Sequence, residues 1–548
     1  MQEQDIIYKQ NNTKPIIFTI VLVIIILLIV LTIFYVLKNQ YNNPVVDISD
    51  DTGKTPKELS ETIKEINLQS TLLATIPIEY IQNNYDIRGE FLDGGRKIFY
   101  YAYVPGESNT VFLNGDPNNI VESYNLLPGG LSWQSAVYLK KKDDKYSVIR
   151  DGKEEYYGAI DRNIATSKNG KTIGYIVDKN YVVINGKPDK KYTQVSGISI
   201  SPDEKHVAYI SFEGDKNTRE TNVILDGKKS SNDYNLISRP TFNPNSKSIA
   251  YIALRDLDEN NIKNSKCFAV VNKKEIAEFE CTEENVFMMI FNNEGDAGLI
   301  TFSPDGKSVA FSIGGLLIID GKQVNKYSKA FNLVFSPDSK HVAYYASSKE
   351  DPKKLFIVLD GKEIKKPDES NFGSGDLVWN PDSKSFAYRI IRREGQSYKV
   401  SIVLRYLNDN EKIGKEYNRI EHIIFSPRGE RMVYVAVRLE QSIEQEGAYI
   451  SELILVDGYT GNEIDEGLNL DLLPVFSNDG KSIAYIVGHD KKSRVARKSH
   501  IVINGEPGID YDQIWTNPIF SQDGKSVGYG ILKGNELWWI VDKVKKLQ

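Results

Sequence analysis

A motif of two alternating parts recurs along most of this chain, and it limits the possible folds more than any other feature. Its clearest copies read F-S-P-D-G-K-S-V-A-F from Phe302 to Phe311 and V-F-S-P-D-S-K-H-V-A-Y-Y from Val334 to Tyr345. Aligned on the first aromatic or apolar position, copies begin at Phe91, Gly129, Thr166, Ile200, Phe242, Phe302, Phe335, Trp379, Phe425, Phe476 and Phe520. Between successive copies an apolar run ends in Asp-Gly, Asn-Gly or a relative of them. These ends fall at Asn114, Asp151, Asn185, Asp226, Asn272, Asp320, Asp360, Asp409, Asp457, Asn504 and Asp542.

Each part reads as a turn between strands. In Ser-Pro-Asp-Gly the proline presets φ, the aspartate bonds its own backbone and the glycine accepts φ > 0. Leu-Asp-Gly-Lys and Ile-Asn-Gly-Lys suit a two-residue type I′ turn, which matches the right-handed twist of antiparallel strands. One unit is therefore about four short strands, and the spacing of roughly 33 to 60 residues overlaps that of propeller blades. Neither helical periodicity nor βαβ alternation is read in the repeat region. The expected fold is all-β: β-propeller blades of four strands, about eleven units.

S-P-D-G-K followed by an apolar-Ala-Tyr or apolar-Ala-Phe strand resembles the WD40-like repeat of the TolB-type propeller family, over roughly residues 70 to 548. The resemblance implies a propeller and leaves function open, because such propellers serve as binding scaffolds and as accessory domains of peptidases. Copies at Phe91, Gly129, Thr166 and Phe425 depart from the pattern at Pro or Asp, and no functional residue carries over.

Eleven units exceed the usual four to eight around one channel. The widest gap, from Phe242 to Phe302, holds an apolar stretch from Val286 to Phe291 and the loop Asn292 to Asp296. A first propeller over 71–298 and a second over 299–548 are expected, with one large ring or a seven-plus-four split as alternatives. At 548 residues and 41% hydrophobic content the chain can bury more than one core. A net charge of −6 over mixed signs gives no electrostatic footprint for nucleic acid.

Ile16 to Leu37 runs without a charge between Lys14-Pro15 and Lys38. At 1.5 Å per residue it reaches about 33 Å, enough for a bilayer core. No small-residue cleavage pattern or lipobox cysteine follows, so an uncleaved single-pass anchor is expected rather than a signal peptide. Lys9 and Lys14 before it, against Asp47, Asp50 and Asp51 after it, place a tail over 1–15 in the cytoplasm and the propellers outside. Residues 38–70 read as a linker, with a short stalk helix opening at Thr55-Pro56-Lys57-Glu58.

Cys267 and Cys281 lie seven residues to either side of Lys274, which could set them opposite each other across a hairpin. They read either as a disulfide in an oxidising compartment or as two small buried hydrophobes.

Searches for catalytic patterns return turns and loops. Asp-Gly-Lys-Ser at Asp305, Asp479 and Asp523 lacks the upstream glycine of a P-loop. His206 and His341 occupy one repeat position after the turn, and Asp256 to Asn260 lacks the glycine and glutamate of a calcium loop. No cofactor or metal is implied, and no enzyme motif is found.

Both turn types of a unit fall on one face. The second-to-third strand connections and the inter-blade links form the other face, and they vary in length. Arg392 and Arg393, then Glu440, Glu444 and Glu446, then Lys491, Lys492, Arg494, Arg497 and Lys498 lie on long loops of three successive units and alternate in sign. Variable loops on a rigid scaffold are where binding resides. The expected function is a membrane-tethered extracytoplasmic binding or scaffold module for an envelope protein or glycan. The alternative is a propeller enzyme, either a hydrolase accessory or a lyase or cyclase with a channel site.

Overall fold

The computed structural model describes residues 69–76, 86–92, 97–103, 110–113, 123–126, 137–142, 145–150, 153–158, 160–167, 171–214, 220–258, 260–291, 299–364, 371–372, 377–395, 397–441, 449–468, 472–488 and 498–545. All of them belong to one compact unit, Gly53–Ser493 with Arg497–Gln548. The segment Ile16 to Leu37, the stalk and the copy at Gly129 lie outside the described residues. Among those described, no helix is long and apolar enough to cross a membrane.

Among the described residues eleven antiparallel sheets follow one another, most of them four-stranded meanders such as residues 194–229, 329–364 and 419–466. The pattern of one unit explains one sheet. In the seventh sheet Val342–Ser347 runs antiparallel to Lys329–Phe335 on one side and to Leu355–Leu359 on the other. A short outer strand, Lys362–Ile364, follows the Asp360 turn. Successive sheets share hydrophobic clusters, for example the fourth with the fifth and the ninth with the tenth. Meanders packed face to face in chain order, with the last sheet finished by a strand from the other end of the chain, are the propeller arrangement.

The Ser-Pro-Asp turn is tied from inside. Ser336 is fully buried, donates its hydroxyl to Asp338 Oδ1 at 2.6 Å and accepts the His341 amide at 3.0 Å. Ser201, Ser303, Ser477 and Ser521 repeat both bonds. The fourth position takes positive φ even without glycine, as at Glu204, Ser339 and Ser383. The second turn is tied to the first: Oδ1 of Asp320, Asp226, Asp360, Asn272 or Asn504 accepts the amide that opens the second strand, at 2.8 to 3.0 Å. Both turns therefore lie together on one face, as the pattern requires.

Two expectations are corrected. Asp542 is not a turn; it lies within the strand Glu536–Lys543, because the outer strand of this last sheet comes from Gln69–Thr75 at the other end of the chain. The repeat region is also not free of helix. The apolar stretch read as a boundary forms α1, Glu283–Phe291, whose entry is capped by Thr282 Oγ1 accepting the Asn285 amide at 3.1 Å. Nine residues are too few for a clear periodicity, but Asn285 and Met289, four apart, face inward.

The division expected between residues 298 and 299 passes through a single core. Cys267, Phe279 and Cys281 of the fifth-sheet region, Met289 of α1, and Val309, Phe311 and Ile318 of the sixth sheet belong to one cluster.

The glycine positions allow a direct test. At Gly429 (φ +74°) an added Cβ would lie 1.8 Å from Asn380 Oδ1, whereas at Gly361 (φ +80°) it would meet nothing within 4 Å. Gly361→Ala should cost about 1–2 kcal/mol of backbone strain, and Gly429→Ala clearly more. Equal melting temperatures for the two variants would contradict the packing of the eighth sheet on the ninth turn.

The serine hydroxyls hold the turn carboxylates of Asp203, Asp305, Asp338, Asp479 and Asp523 below the ordinary carboxylate value of 3.8. A carboxylate lowered in the folded state stabilises fully above its unfolded value, and that contribution is lost as pH falls toward the lowered folded value. The melting temperature should therefore hold between about pH 7 and 5 and fall below about pH 4. Asp305→Asn should lower it at neutral pH and flatten the acid limb, as a pH series of melting curves will show.

Candidate binding face

The face opposite the turns carries the irregular connections. Two neighbouring sheets build the longest hairpins on it. Ser385–Glu394 and Ser397–Tyr406 of the eighth sheet are ten residues each, and Met432–Gln441 of the ninth sheet is ten paired with the nine of Tyr449–Asp457. The corresponding strands of the seventh and tenth sheets have five or six residues. At about 3.4 Å per residue these hairpins reach roughly 10 Å further.

Arg392 and Arg393 lie at the end of the first hairpin. Arg392 pairs with Glu416 at 2.6 Å, and Arg393 Nε donates to the Gly395 carbonyl at 3.1 Å. Glu440 stands opposite Ile450 in the second hairpin. Glu444, Lys491, Lys492, Arg494 and Arg497 lie outside the described residues, so the structure places only the first two side chains of the proposed set. Both of them fold back on their own sheet. Tyr398 and Leu439 are exposed at 57% and 43%, which makes the hairpins more apolar than the charge pattern indicated. At the root of the second hairpin Arg438 joins Glu463 at 2.6 Å and the buried Glu452 at 3.4 Å. The hydrogen bond to Arg438 holds the Glu463 carboxyl below its usual range.

A second concavity was not anticipated. A cleft of about 1060 Å³ lies between α1, the turn Ile262–Asn264 and the edge of the sixth and seventh sheets. Its lining mixes carboxamides (Asn260, Asn261, Asn285, Gln323, Asn325) with Phe279, Phe287, Ile290 and Tyr327. Phe287 and Ile290, three apart on α1, are exposed at 58% and 46%. The signal available in the sequence was the Val286–Phe291 stretch, which breaks the strand–turn rhythm.

Cys267 and Cys281 form a disulfide, with Cα atoms 5.4 Å apart. They are not direct partners across the hairpin. A register shift between Ala269 and Val270 sets Cys267 opposite Phe279, so the bridge runs diagonally to the residue just past the strand. It pins the start of α1 to the fifth sheet, beneath the cleft.

The polar groups that attracted attention as catalytic or metal sites are engaged in the scaffold. Nδ1 of His206 and of His341 lies 2.7 Å from Asp226 and Asp360, at the same repeat position. The Asp258 carboxylate accepts from the Asn260 and Asn261 amides and from Asn264 Nδ2. Among the described residues no group of three or more His, Cys, Asp or Glu is placed to hold a metal ion.

No protein-family model matches the chain, and no curated protein matches it. Solved structures give weak likenesses. A eukaryotic initiation factor superposes with a TM-score of 0.38 and 14% identity over 69% of this chain and 96% of that one. The Dos1 propeller gives 0.27 and 12% over 65% and 95%. TolB from Acinetobacter baumannii gives 0.21 and 14% over 55% and 77%. Nothing about activity is transferred from them.

The disulfide gives a direct check. Unfolded without reductant, the purified protein should yield no alkylatable thiol, and reduction should lower its stability by about 3 kcal/mol for a loop of this length. Two thiols labelled before reduction would rule the bridge out.

Proposed function

We propose that this chain is a membrane-anchored, extracytoplasmic propeller of the TolB type that binds an envelope partner, a protein or a glycan, through the face opposite its regular turns. The observation that carries this reading is the pair of lengthened hairpins on the eighth and ninth sheets. The same two sheets also vary on the turn face, where Asn380 and Arg428 stand in place of the turn Ser and Asp and where Asp409 accepts from Arg405 and Asp457 from the Tyr459 and Thr460 amides. Sheet ladders extended past the core add nothing to the core, and they present Tyr398 and Leu439 where a partner can cover them. The buried disulfide supports an oxidising compartment, and with the apolar segment Ile16 to Leu37 it supports anchorage at the membrane with the propeller outside. Binding is preferred to catalysis because the His–Asp pairs and the turn carboxylates serve the scaffold.

The test is cross-linking on intact cells with a membrane-impermeant reagent, followed by capture of the full chain. The wild type should be recovered with one envelope partner. Tyr398→Ala with Arg392→Glu and Arg393→Glu should lose it while keeping its melting temperature within about 0.5 kcal/mol equivalent, as exposed substitutions do. Modification only in broken cells would reject the outward orientation, and undiminished capture by the variant would remove the hairpin from the interface.

A further inference from the structure

The outermost strand of a sheet exposes a row of backbone N–H and C=O groups with which another extended chain can pair. From the second sheet to the tenth, that strand is guarded by charge. Each of the nine opens on Lys or Glu, as in Lys187–Pro188, Lys228–Lys229, Lys362–Ile364 and Glu463–Glu466. Seven of the nine are also four residues or shorter, too little edge to hold a partner.

The eleventh sheet breaks this rule. Its outermost strand, Gln69–Thr75, has seven residues and reads Q-S-T-L-L-A-T, with no charge, proline or glycine. One side of it pairs with Val541 to Glu536, and among the described residues no strand pairs with the other side. Tyr100 donates to the Thr75 carbonyl at 3.4 Å, at the end of the strand. Before that end Thr71 and Leu72 are exposed, Leu72 at 45%. The register shift at Leu73 bends the strand but puts neither a charge nor a proline on the open side.

The strand's own sequence narrows what can pair with it. Two identical strands lying antiparallel set each residue opposite a residue of the same segment. Lys228–Lys229 would then meet lysine at both positions, and like charges directly opposite are destabilising. In Gln69–Thr75 full overlap sets Leu72 opposite Leu72, Thr71 opposite Leu73 and Ser70 opposite Ala74, so no charge is opposed. Such a contact uses the same surface on both partners and closes at two copies. We infer that the open edge of Gln69–Thr75 pairs with the same strand of a second copy of this chain, joining two eleventh sheets across a two-fold axis. The inference goes beyond the partner proposed for the loop face and uses a different part of the molecule. One strand pair buries less than a standard interface, so self-association is weak in dilute solution. Anchorage of both copies in one bilayer, on the reading above, raises their effective concentration.

The experiment is sedimentation velocity of the full chain in detergent at concentrations up to about 100 μM, which covers weak specific complexes. The wild type should pass from monomer to dimer. Thr71→Lys/Leu72→Lys and Thr71→Glu/Leu72→Glu should each self-associate at least about tenfold more weakly, since like charges face each other across the interface. Mixing the two variants should restore a dimer with one copy of each. Trp538 and Trp539 stand opposite Leu72 and Thr71 in the sheet, so unchanged tryptophan fluorescence will show that the strand is still docked on its own copy. A wild type that stays monomeric, a dimer that persists in both charge variants, or variants that fail to associate when mixed would overturn the proposal. The hairpin variant Arg392→Glu/Arg393→Glu should dimerise as the wild type does. Loss of cross-linked capture with the dimer intact would therefore count against the hairpin reading alone, and capture by a monomer against the strand pairing alone.

Discussion

The structure depends on a hydrogen bond that passes from the turn of one sheet to the turn of the next. The Asp203 amide donates to Ser246 Oγ, the Asp305 amide to Ser339 Oγ and the Asp338 amide to Ser383 Oγ, each at 3.0 Å. Where the next turn carries glycine instead, the donor comes from the preceding sheet's side chain: Asn243 Nδ2 reaches the Gly306 carbonyl and Asn380 Nδ2 the Gly429 carbonyl. Arg431 and Asn478 extend the series to the Lys481 and Gln522 carbonyls. From the fourth sheet to the eleventh, then, every joint is made by a polar group within the repeat. A sheet of four short strands has two apolar faces and cannot stand alone. The joint sets its spacing from the neighbour that covers it.

The apolar half of five of the joints uses a pair of tyrosines. Tyr209, Tyr251, Tyr344, Tyr434 and Tyr529, on second strands, meet Tyr192, Tyr234, Tyr327, Tyr417 and Tyr511 edge to face at 6.0 to 6.4 Å. Such pairs contribute about 0.5–1.5 kcal/mol beyond burial. The hydroxyls of Tyr234, Tyr327 and Tyr417 reach Glu275, Glu363 and Glu463 on the outermost strands. Burial pushes the phenols of Tyr234 and Tyr434 up to about 12, so both stay neutral, and Tyr234 donates to Glu275. The outermost strands themselves are short and polar, such as Lys228–Lys229 and Lys322–Gln323, which blunts edges that would otherwise recruit other chains.

Much of this was legible, because turn chemistry is local. Pro, Asp, Asn and Gly at fixed offsets state which backbone angles they favour, and the copies from Thr166 to Phe520 fall at the ends of first strands. Long-range terms were not legible. Nothing in Q-S-T-L-L-A-T announces that Gln69–Thr75 will pair with Glu536–Lys543, since an outer strand carries no register signal of its own. The tyrosines at 192, 234, 327, 417 and 511 form a third repeated signal that was overlooked because they sit in the links between sheets. The cleft was hidden for a related reason: α1 replaces a connection, and its lining draws on five separate stretches of chain.

The two departures from the repeat differ in how they are fixed, and this bears on what each can do. The hairpins of the eighth and ninth sheets are continuations of core strands, held by ladder bonds and by the Arg438–Glu452–Glu463 cluster at one root. Their side chains can therefore change without touching a joint. The helix is different: Met289 is fully buried in the cluster that joins the fifth and sixth sheets, and Cys281, immediately before α1, is bridged to Cys267 in that same cluster. Its outward positions, Phe287 and Ile290, are exposed. A surface fixed to a joint in this way is pre-organised, so a ligand meeting it pays little in ordering the protein. A hairpin projecting beyond its neighbours lacks such support at its tip, and it suits a partner large enough to order it on contact.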